Sequence, residues 1–534
     1  MSKLLVESEE NSSNDYSKTR NSIGRIIYSQ KDSYNTERIK DDKTYGWIAD
    51  EFKEQVKAGD RLVIYNREST KKFYVIVDKT ANFDMSSKGY NPKHKWAETV
   101  THVTLIPFLE IDFGEETYKG KPRPSSLAEF EIDFPNKDER LDINNIPKDG
   151  LALGDFESNG VKTPFHYPLR PEDTLFQSMI IDGPQGKGKT NFVKLMISSV
   201  FSKTKNAQVI IDREGEYTSF AKFDEMADEG KKFFTKHGLK SPQPKVLTVS
   251  DNDRFQSTAC MSMHALDYTD VLMLSKELPP ASAEAAVSVF QIAHQRLVEE
   301  GTEITFDNLR KQAFTELENS NYYTGMAGKE IKNAVERALT SAHLELFDQK
   351  GKLPLTPENL FNENTVTVID VHTLSPARQR MMILYLLLVL QRYKFQESHD
   401  EPGVLVYLDE SEYIFPKTPQ SMEKDQVQRI VEMIQEPVNR GRKHKYGLVS
   451  ITHSISRMTP TVVDLCNTKL IFGRTVSSGK TWFDNNIGKD RTKELAYLGQ
   501  GQCVIDTRQT SIPINTILHI PFVGKKENFF GGSQ

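Results

Sequence analysis

The octapeptide Gly183-Pro184-Gln185-Gly186-Lys187-Gly188-Lys189-Thr190 constrains the fold most, because of what stands on either side of it. In front, Met179-Ile180-Ile181-Asp182 is a short apolar run of the kind that forms a strand buried on both faces. Behind, Phe192, Val193, Leu195, Met196 and Val200 recur at helical spacing. Strand, glycine-rich loop and helix in that order make a phosphate-binding loop, in which Gly183, Gly186 and Gly188 let successive backbone N–H groups turn toward an anion at the helix N-terminus. Lys189 can then reach the outer phosphates of ATP, and Thr190 can set its hydroxyl on Mg²⁺. The expected nucleotide-binding set is these eight residues together with Asn191.

From residue 179 onward, continuous apolar runs alternate with helical segments, the pattern of a mostly parallel sheet covered by helices on both faces. The predicted strands are 179–182, 209–212, 366–370, 404–408, 447–452 and 469–472. Between the second and third, residues 268–347 repeat apolar side chains at three and four, most plainly over 281–298 and 329–347, and predict an inserted helical bundle. The α/β core is therefore expected to occupy 166–267 and 348–506.

Upstream the pattern differs. Residues 1–18 are rich in Ser, Asn and Glu and predict a disordered tail. Residues 19–115 carry short β-branched and aromatic runs at 23–28, 61–65, 73–78 and 103–113, which predict a small antiparallel β-barrel, a module suited to assembly or docking. Residues 116–165 are punctuated by Pro135, Pro147 and Pro164 and predict an extended connector with one strand at 129–134. Residues 507–534 predict a C-terminal extension with some β character, ending in a mobile Gly/Ser segment.

Composition narrows the setting. The longest apolar stretch, 381–390, is about half of the roughly 20 residues a bilayer span needs, and the polar N-terminus lacks the layout of a signal peptide. A cytoplasmic protein without a membrane segment is expected. Cys260, Cys466 and Cys503 are too far apart to suggest a disulfide framework or a zinc site, and read as buried small hydrophobes. A net charge of −5 excludes a surface that coats nucleic acid everywhere, so any polyanion contact must be local.

Val404-Leu405-Val406-Tyr407-Leu408-Asp409-Glu410 is an apolar strand ending in two acids. Alone, such a pair reads as a solvated strand end. With a phosphate-binding loop upstream, Asp409 is placed to hold Mg²⁺ and Glu410 to orient and deprotonate water, with Glu412 a weaker competitor for the base. Asp212-Arg213-Glu214-Gly215-Glu216-Tyr217 follows the second strand, so its acids should emerge at the same carboxyl edge, where Glu216 can support the metal or the water; the bland alternative is a turn around Gly215. Arg440-Gly441-Arg442-Lys443-His444-Lys445 is a basic run that suits a nucleic-acid surface, or an arginine presented to a neighbouring subunit's γ-phosphate. Arg442 is the expected finger, with Arg440 the runner-up. The strand at 447–452 delivers Thr452 and His453 to the phosphate edge, where His453 can sense the γ-phosphate.

In order and spacing, the loop at 183–190, the Ile-Asp-Arg-Glu-Gly-Glu-Tyr ending at Tyr217, the Leu-Asp-Glu at 408–410, the Gly-Arg-Lys at 441–443 and the Ser-Ile-Thr-His at 450–453 resemble the HerA and FtsK class of P-loop translocases, HerA most closely. The chain departs from HerA at two motifs. Arg213 and Glu214 replace the Pro-His of the usual Asp-Pro-His-Gly-Glu-Tyr, and His453 replaces a glutamine. The resemblance implies a RecA-like P-loop ATPase core with a HerA-type N-terminal barrel. It further implies a homohexameric ring that threads duplex DNA, hydrolyses ATP at subunit interfaces and partners a NurA-like nuclease in processing broken ends for recombination. Six copies of Arg440, Arg442, Lys443 and Lys445 around a channel would give a strong local field despite the acidic total. A conjugation or genome-packaging motor shares every motif, and a nucleotide-dependent scaffold without translocation needs no Glu410.

Overall fold

The computed structural model describes residues 22–26, 44–57, 60–66, 71–84, 99–112, 117–119, 130–136, 150–158, 161–168, 175–250, 257–268, 270, 280–319, 325–339, 345–396, 402–419, 424–476, 479–487, 489–507 and 517–528. They form two units, 1–147 with 156–163, and 148–155 with 164–534. The tail expected at 1–18 and the Gly/Ser end at 529–534 lie outside the described residues.

The first unit holds β1 (Gly24–Ile26), β2 (Thr44–Ala49), β3 (Arg61–Tyr65), β4 (Lys71–Asp84), β5 (Thr99–Asp112), β6 (Thr117–Lys119) and β7 (Glu131–Asp133). Their order is β2-β1-β7-β3-β4-β5-β6, and β2 also pairs with β5, so six strands close into a barrel with β6 appended. Closure follows from alternation along the strands. Leu62, Ile64, Phe73, Val75, Val77, Val103 and Leu105 stand two apart on their strands and share one buried core. The strand expected inside a connector is instead a barrel stave: β7 is antiparallel to both β1 and β3, and Ile132 is fully buried. A three-residue strand has no pattern of its own, and only tertiary pairing shows its place.

Further described residues of the expected connector, 150–158 and 161–165, are strands as well. β8 (Gly150–Ser158) and β9 (Val161–Pro168) join the sheet of the second unit, which continues with β10 (Met179–Asp182), β11 (Ala207–Asp212) and β12 (Lys245–Thr248). After a two-residue parallel pair, β13 (Ala259–Cys260) with β14 (Leu353–Pro354), come β15 (Val366–Asp370), β16 (Val404–Leu408), β17 (Tyr446–Thr452), β18 (Thr468–Phe472), β19 (Gln502–Thr507) and β20 (Ile517–His519). The order is β12-β15-β11-β16-β17-β10-β18-β19-β20-β8-β9. From β12 to β18 every neighbour is parallel, and the β18–β19 and β19–β20 pairs are antiparallel. The segment expected as a C-terminal extension thus supplies a strand to the sheet.

The longer helices of the unit are α1 (Lys189–Lys203), α2 (Asp228–His237), α3 (Pro280–Glu299), α4 (Phe306–Asn319), α5 (Gly325–Ala338), α6 (Pro376–Gln391) and α7 (Lys424–His444). α3, α4 and α5 pack on one another. α6 carries the longest apolar run, and Met381 through Leu390 are all buried, so the run is a core helix. Among the described residues no helix is long and apolar enough to cross a membrane. The three cysteines are free and buried.

Candidate nucleotide site

One strand, β17, separates β10 from β16, and all three run parallel. Their carboxyl ends therefore line up as three successive donors of site residues: Asp182 and the loop from β10, Thr452 and His453 from β17, Asp409 and Glu410 from β16. The loop's path depends on glycine at two places. A Cβ on Gly183 would lie 2.6 Å from the Cβ of Phe472, and Gly188 caps α1 in the left-handed region at φ 107°.

Lys189 is folded back onto its own loop. Its ammonium donates to the Gly183 carbonyl at 2.7 Å, the Pro184 carbonyl at 3.2 Å and His453 Nδ1 at 3.0 Å. Since Nδ1 accepts from the lysine, the ring proton sits on Nε2, which faces Glu410 Oε1 at 3.3 Å. The His453 backbone N–H donates to Glu412 Oε1 at 3.0 Å, while the buried Glu412 Oε2 has no hydrogen-bond partner. Lysine, histidine and both glutamates thus form one connected set. Burial holds the Lys189 ammonium below its usual range, and the charges of Asp182, Asp409, Glu412 and Glu216 work against that.

Glu216 reaches the same place from β11. Asp212 accepts the backbone N–H groups of Gly215, Glu216 and Tyr217 at 2.8, 3.1 and 2.8 Å, which folds the following loop back over the strand end. Glu216 then accepts the Thr190 hydroxyl. The price is crowding of carboxylates. Asp409, 7% exposed, is pushed well above the usual carboxylate range by burial first, then by the charges of Asp212, Glu216 and Glu410. A divalent cation would relieve that repulsion, and Thr190 and Asp409 are oxygen donors of the kind Mg²⁺ takes, so the site suits the ion.

Glu410 occupies an unusual backbone position, at φ 50° and ψ 46° just before the one-turn helix Ser411–Ile414. Arg213 holds it from the other side. The guanidinium donates from Nε to Gln379 Oε1 at 2.9 Å, lies 3.7 Å from Glu410 Oε2 and covers the Tyr413 ring at 4.9 Å. Burial and the charge of Glu214 raise the Glu410 carboxyl above its usual range, and Arg213 opposes them.

Two expected site residues stand apart. The Asn191 side chain is engaged with the C-terminal segment, donating to the Pro521 carbonyl at 2.8 Å and accepting from the Val523 N–H at 2.8 Å, and so fastens residues 521–523. Arg442 and Arg440 lie near the C-terminal end of α7, immediately ahead of β17. That is the amino edge of the sheet, opposite the phosphate loop, and the side chains of both arginines lie outside the described residues. Of the loop residues, Gln185 and Gly186 are exposed, and Lys187 donates to the Leu498 carbonyl at 3.3 Å.

Sequence reasoning did not single out Arg474. It pairs with the fully buried Asp182 at the foot of the loop, and Asp182 also accepts the Ile455 N–H at 2.8 Å. The partners are 292 residues apart, and neither neighbourhood carries a local signal for the other. Arg213 was visible only as a departure from a motif.

The family model described as "Helicase HerA, central domain" matches residues 159–389. Among solved structures, VirB4 of Thermoanaerobacter pseudethanolicus is 13% identical over 71% of this chain and 98% of its own, with a TM-score of 0.48. The bacterial conjugative coupling protein TrwB, in an unbound form, is 13% identical over 72% and 93%, with a TM-score of 0.46. The genome-packaging NTPase B204 of Sulfolobus turreted icosahedral virus 2, bound to AMPPCP, is 11% identical over 66% and 100%, with a TM-score of 0.30. No curated protein sequence matches this chain.

Proposed function

We propose that this chain, whose residues 159–389 match the family model of the HerA central domain, is an ATP-driven duplex-DNA translocase or helicase of HerA type that works as a homohexameric ring with a NurA-like nuclease in end resection and recombinational repair. The observation that carries the reading is the connected set Lys189–His453–Glu410, which joins the phosphate loop to the acids of β16 through the strand between them.

In this reading the backbone of residues 183–190 holds the phosphates, and Lys189 leaves the Gly183 and Pro184 carbonyls to bind them. Thr190 and Asp409 would hold Mg²⁺, which would supply neutralising charge at the phosphates. Glu410 takes the proton of the attacking water, and Glu216 supports the metal side of the site. His453 takes the γ-phosphate side. Arg442, at the opposite edge of the sheet from its own loop, acts on a neighbour's nucleotide.

ATP turnover measured with and without linear duplex DNA tests the proposal. Turnover is expected to rise several-fold with DNA and the stimulation to fall steeply with salt, as phosphate contacts do. Hydrolysis indifferent to duplex DNA at every salt concentration would sink the translocase and leave the scaffold reading. Displacement of a triplex-forming strand from a linear duplex would report movement directly.

Mixed assemblies test the trans role. Arg442→Ala and Lys189→Ala subunits, each inactive alone, are expected to regain measurable turnover when mixed, because an interface of one with the other can hold an intact lysine and an intact arginine. No activity at any mixing ratio would remove Arg442 from the site.

A further inference from the structure

Arg213 does more than fill the turn after β11. We propose that it is a positioning residue for hydrolysis, fixing the Glu410 carboxylate in the orientation from which it takes a proton. The inference rests on Glu410 being the base and deepens that reading.

The geometry has three parts. First, Arg213 is itself anchored: Nε donates to Gln379 Oε1 at 2.9 Å, and Gln379 donates in turn to the Val371 carbonyl at 3.0 Å, just beyond β15. Second, its other end meets Glu410 twice, with NH1 3.7 Å from Oε2 and 3.5 Å from the Glu410 backbone carbonyl. Third, the guanidinium lies over the Tyr413 ring, in the one-turn helix that Glu410 opens. A planar fork suits this arrangement, since one edge can serve the amide of α6 while the other faces the carboxylate.

The two oxygens of Glu410 are thereby divided. Oε2 faces Arg213 and Oε1 faces the Nε2–H of His453. With a cation beside one oxygen and a hydrogen-bond donor on the other, the carboxylate has one favoured orientation about its last torsion. Both side chains are largely enclosed, with Arg213 at 11% and Glu410 at 14% side-chain exposure, so solvent screens the pair only in part. The positive φ of Glu410 adds to the need, because a backbone in that region holds its place only when its surroundings fix it. A misplacement of about 1 Å at a catalytic group can cost on the order of 100-fold in rate.

The test uses Arg213→Gln, Arg213→Lys and Glu410→Gln in the full chain, with steady-state ATP turnover, equilibrium binding of a fluorescent ATP analogue, and thermal melting. Arg213→Gln is expected to lower kcat about 30-fold while KM and analogue affinity change less than about 3-fold, since orientation and not ground-state binding is lost. Arg213→Lys keeps a charge near Oε2 and is expected to recover to within about 5-fold of the parent. Equal losses in the lysine and glutamine variants, tracked by an equal drop in melting temperature, would make Arg213 a purely structural residue and overturn the proposal. So would an unchanged kcat in Arg213→Gln. If Glu410→Gln turns over normally, the failure lies in the assignment of the base. If Glu410→Gln is inactive and Arg213→Gln is not, only the positioning role falls.

Discussion

Glu410→Gln is expected to bind ATP as the parent does, within about 3-fold, and to hydrolyse it about 100- to 10,000-fold more slowly, the range lost with a positioned general base. The amide has the shape of the carboxylate and can still accept from the Nε2–H of His453, so the pocket keeps its form. It cannot take a proton. Lys189→Ala is expected to do the opposite to binding. In the proposed reading its ammonium is the phosphate ligand of the loop, and a charge-assisted hydrogen bond of this kind contributes about 1.5–3 kcal/mol, so affinity should fall roughly 10- to 150-fold. Analogue titration with both variants separates the roles. Equal loss of binding in the two would contradict the division of labour, and normal turnover in Glu410→Gln would move the base to Glu412, whose buried Oε2 has no partner.

The same contrast explains why parts of this molecule can be read from the chain. Strands β10, β15 and β16 span the residues expected of them, because each is a continuous apolar run buried on both faces and needs no partner to be recognised. The edge strand β12, Lys-Val-Leu-Thr, is half open to solvent and gives no such run. β7, β8 and β20 are short or alternating, and pair with segments far off in sequence, so their membership of barrel and sheet is a tertiary fact. The insertion shows the same limit in a milder form: periodicity marked the bundle, while α4, framed by polar residues, was not resolved within it.

For the site, strand ends were the legible part. Acids that follow an apolar parallel strand must emerge at the carboxyl edge, which is why Lys189, Glu410 and His453 meet although they are spread over 264 residues. Long-range side-chain pairs were not legible. Arg213 with Gln379, and Asp182 with Arg474, join positions 166 and 292 residues apart, and neither member looks special in its own segment. Asn191 shows a contact of the same long-range kind. It stands where a ligand is expected, and the fold spends its amide on fastening residues 521–523 beside α1.

The pair at the foot of the loop leads to the second large effect. Asp182 is completely buried, and burial raises its pKa, while Arg474 and the Ile455 N–H favour the ionised form. Arg474→Met would strip the carboxylate of its cation and leave it in a site that water does not reach. Breaking a buried pair from one side costs about 3–5 kcal/mol, more than forming the pair is worth, because the remaining charge is uncompensated. The second unit should then melt earlier, by roughly 1–2 °C for each kcal/mol, since its unfolding entropy exceeds that of a 150–250-residue domain. Asp182→Asn combined with Arg474→Met removes the stranded charge and is expected to recover much of the loss, a coupling that distant, independent sites do not show. Melting curves of the two single variants and the double variant decide it; purely additive losses would mean that Asp182 and Arg474 stabilise the loop separately. The loss would reach the nucleotide as well, since Asp182 is the last residue of β10 and the loop that holds the phosphates begins at the next one.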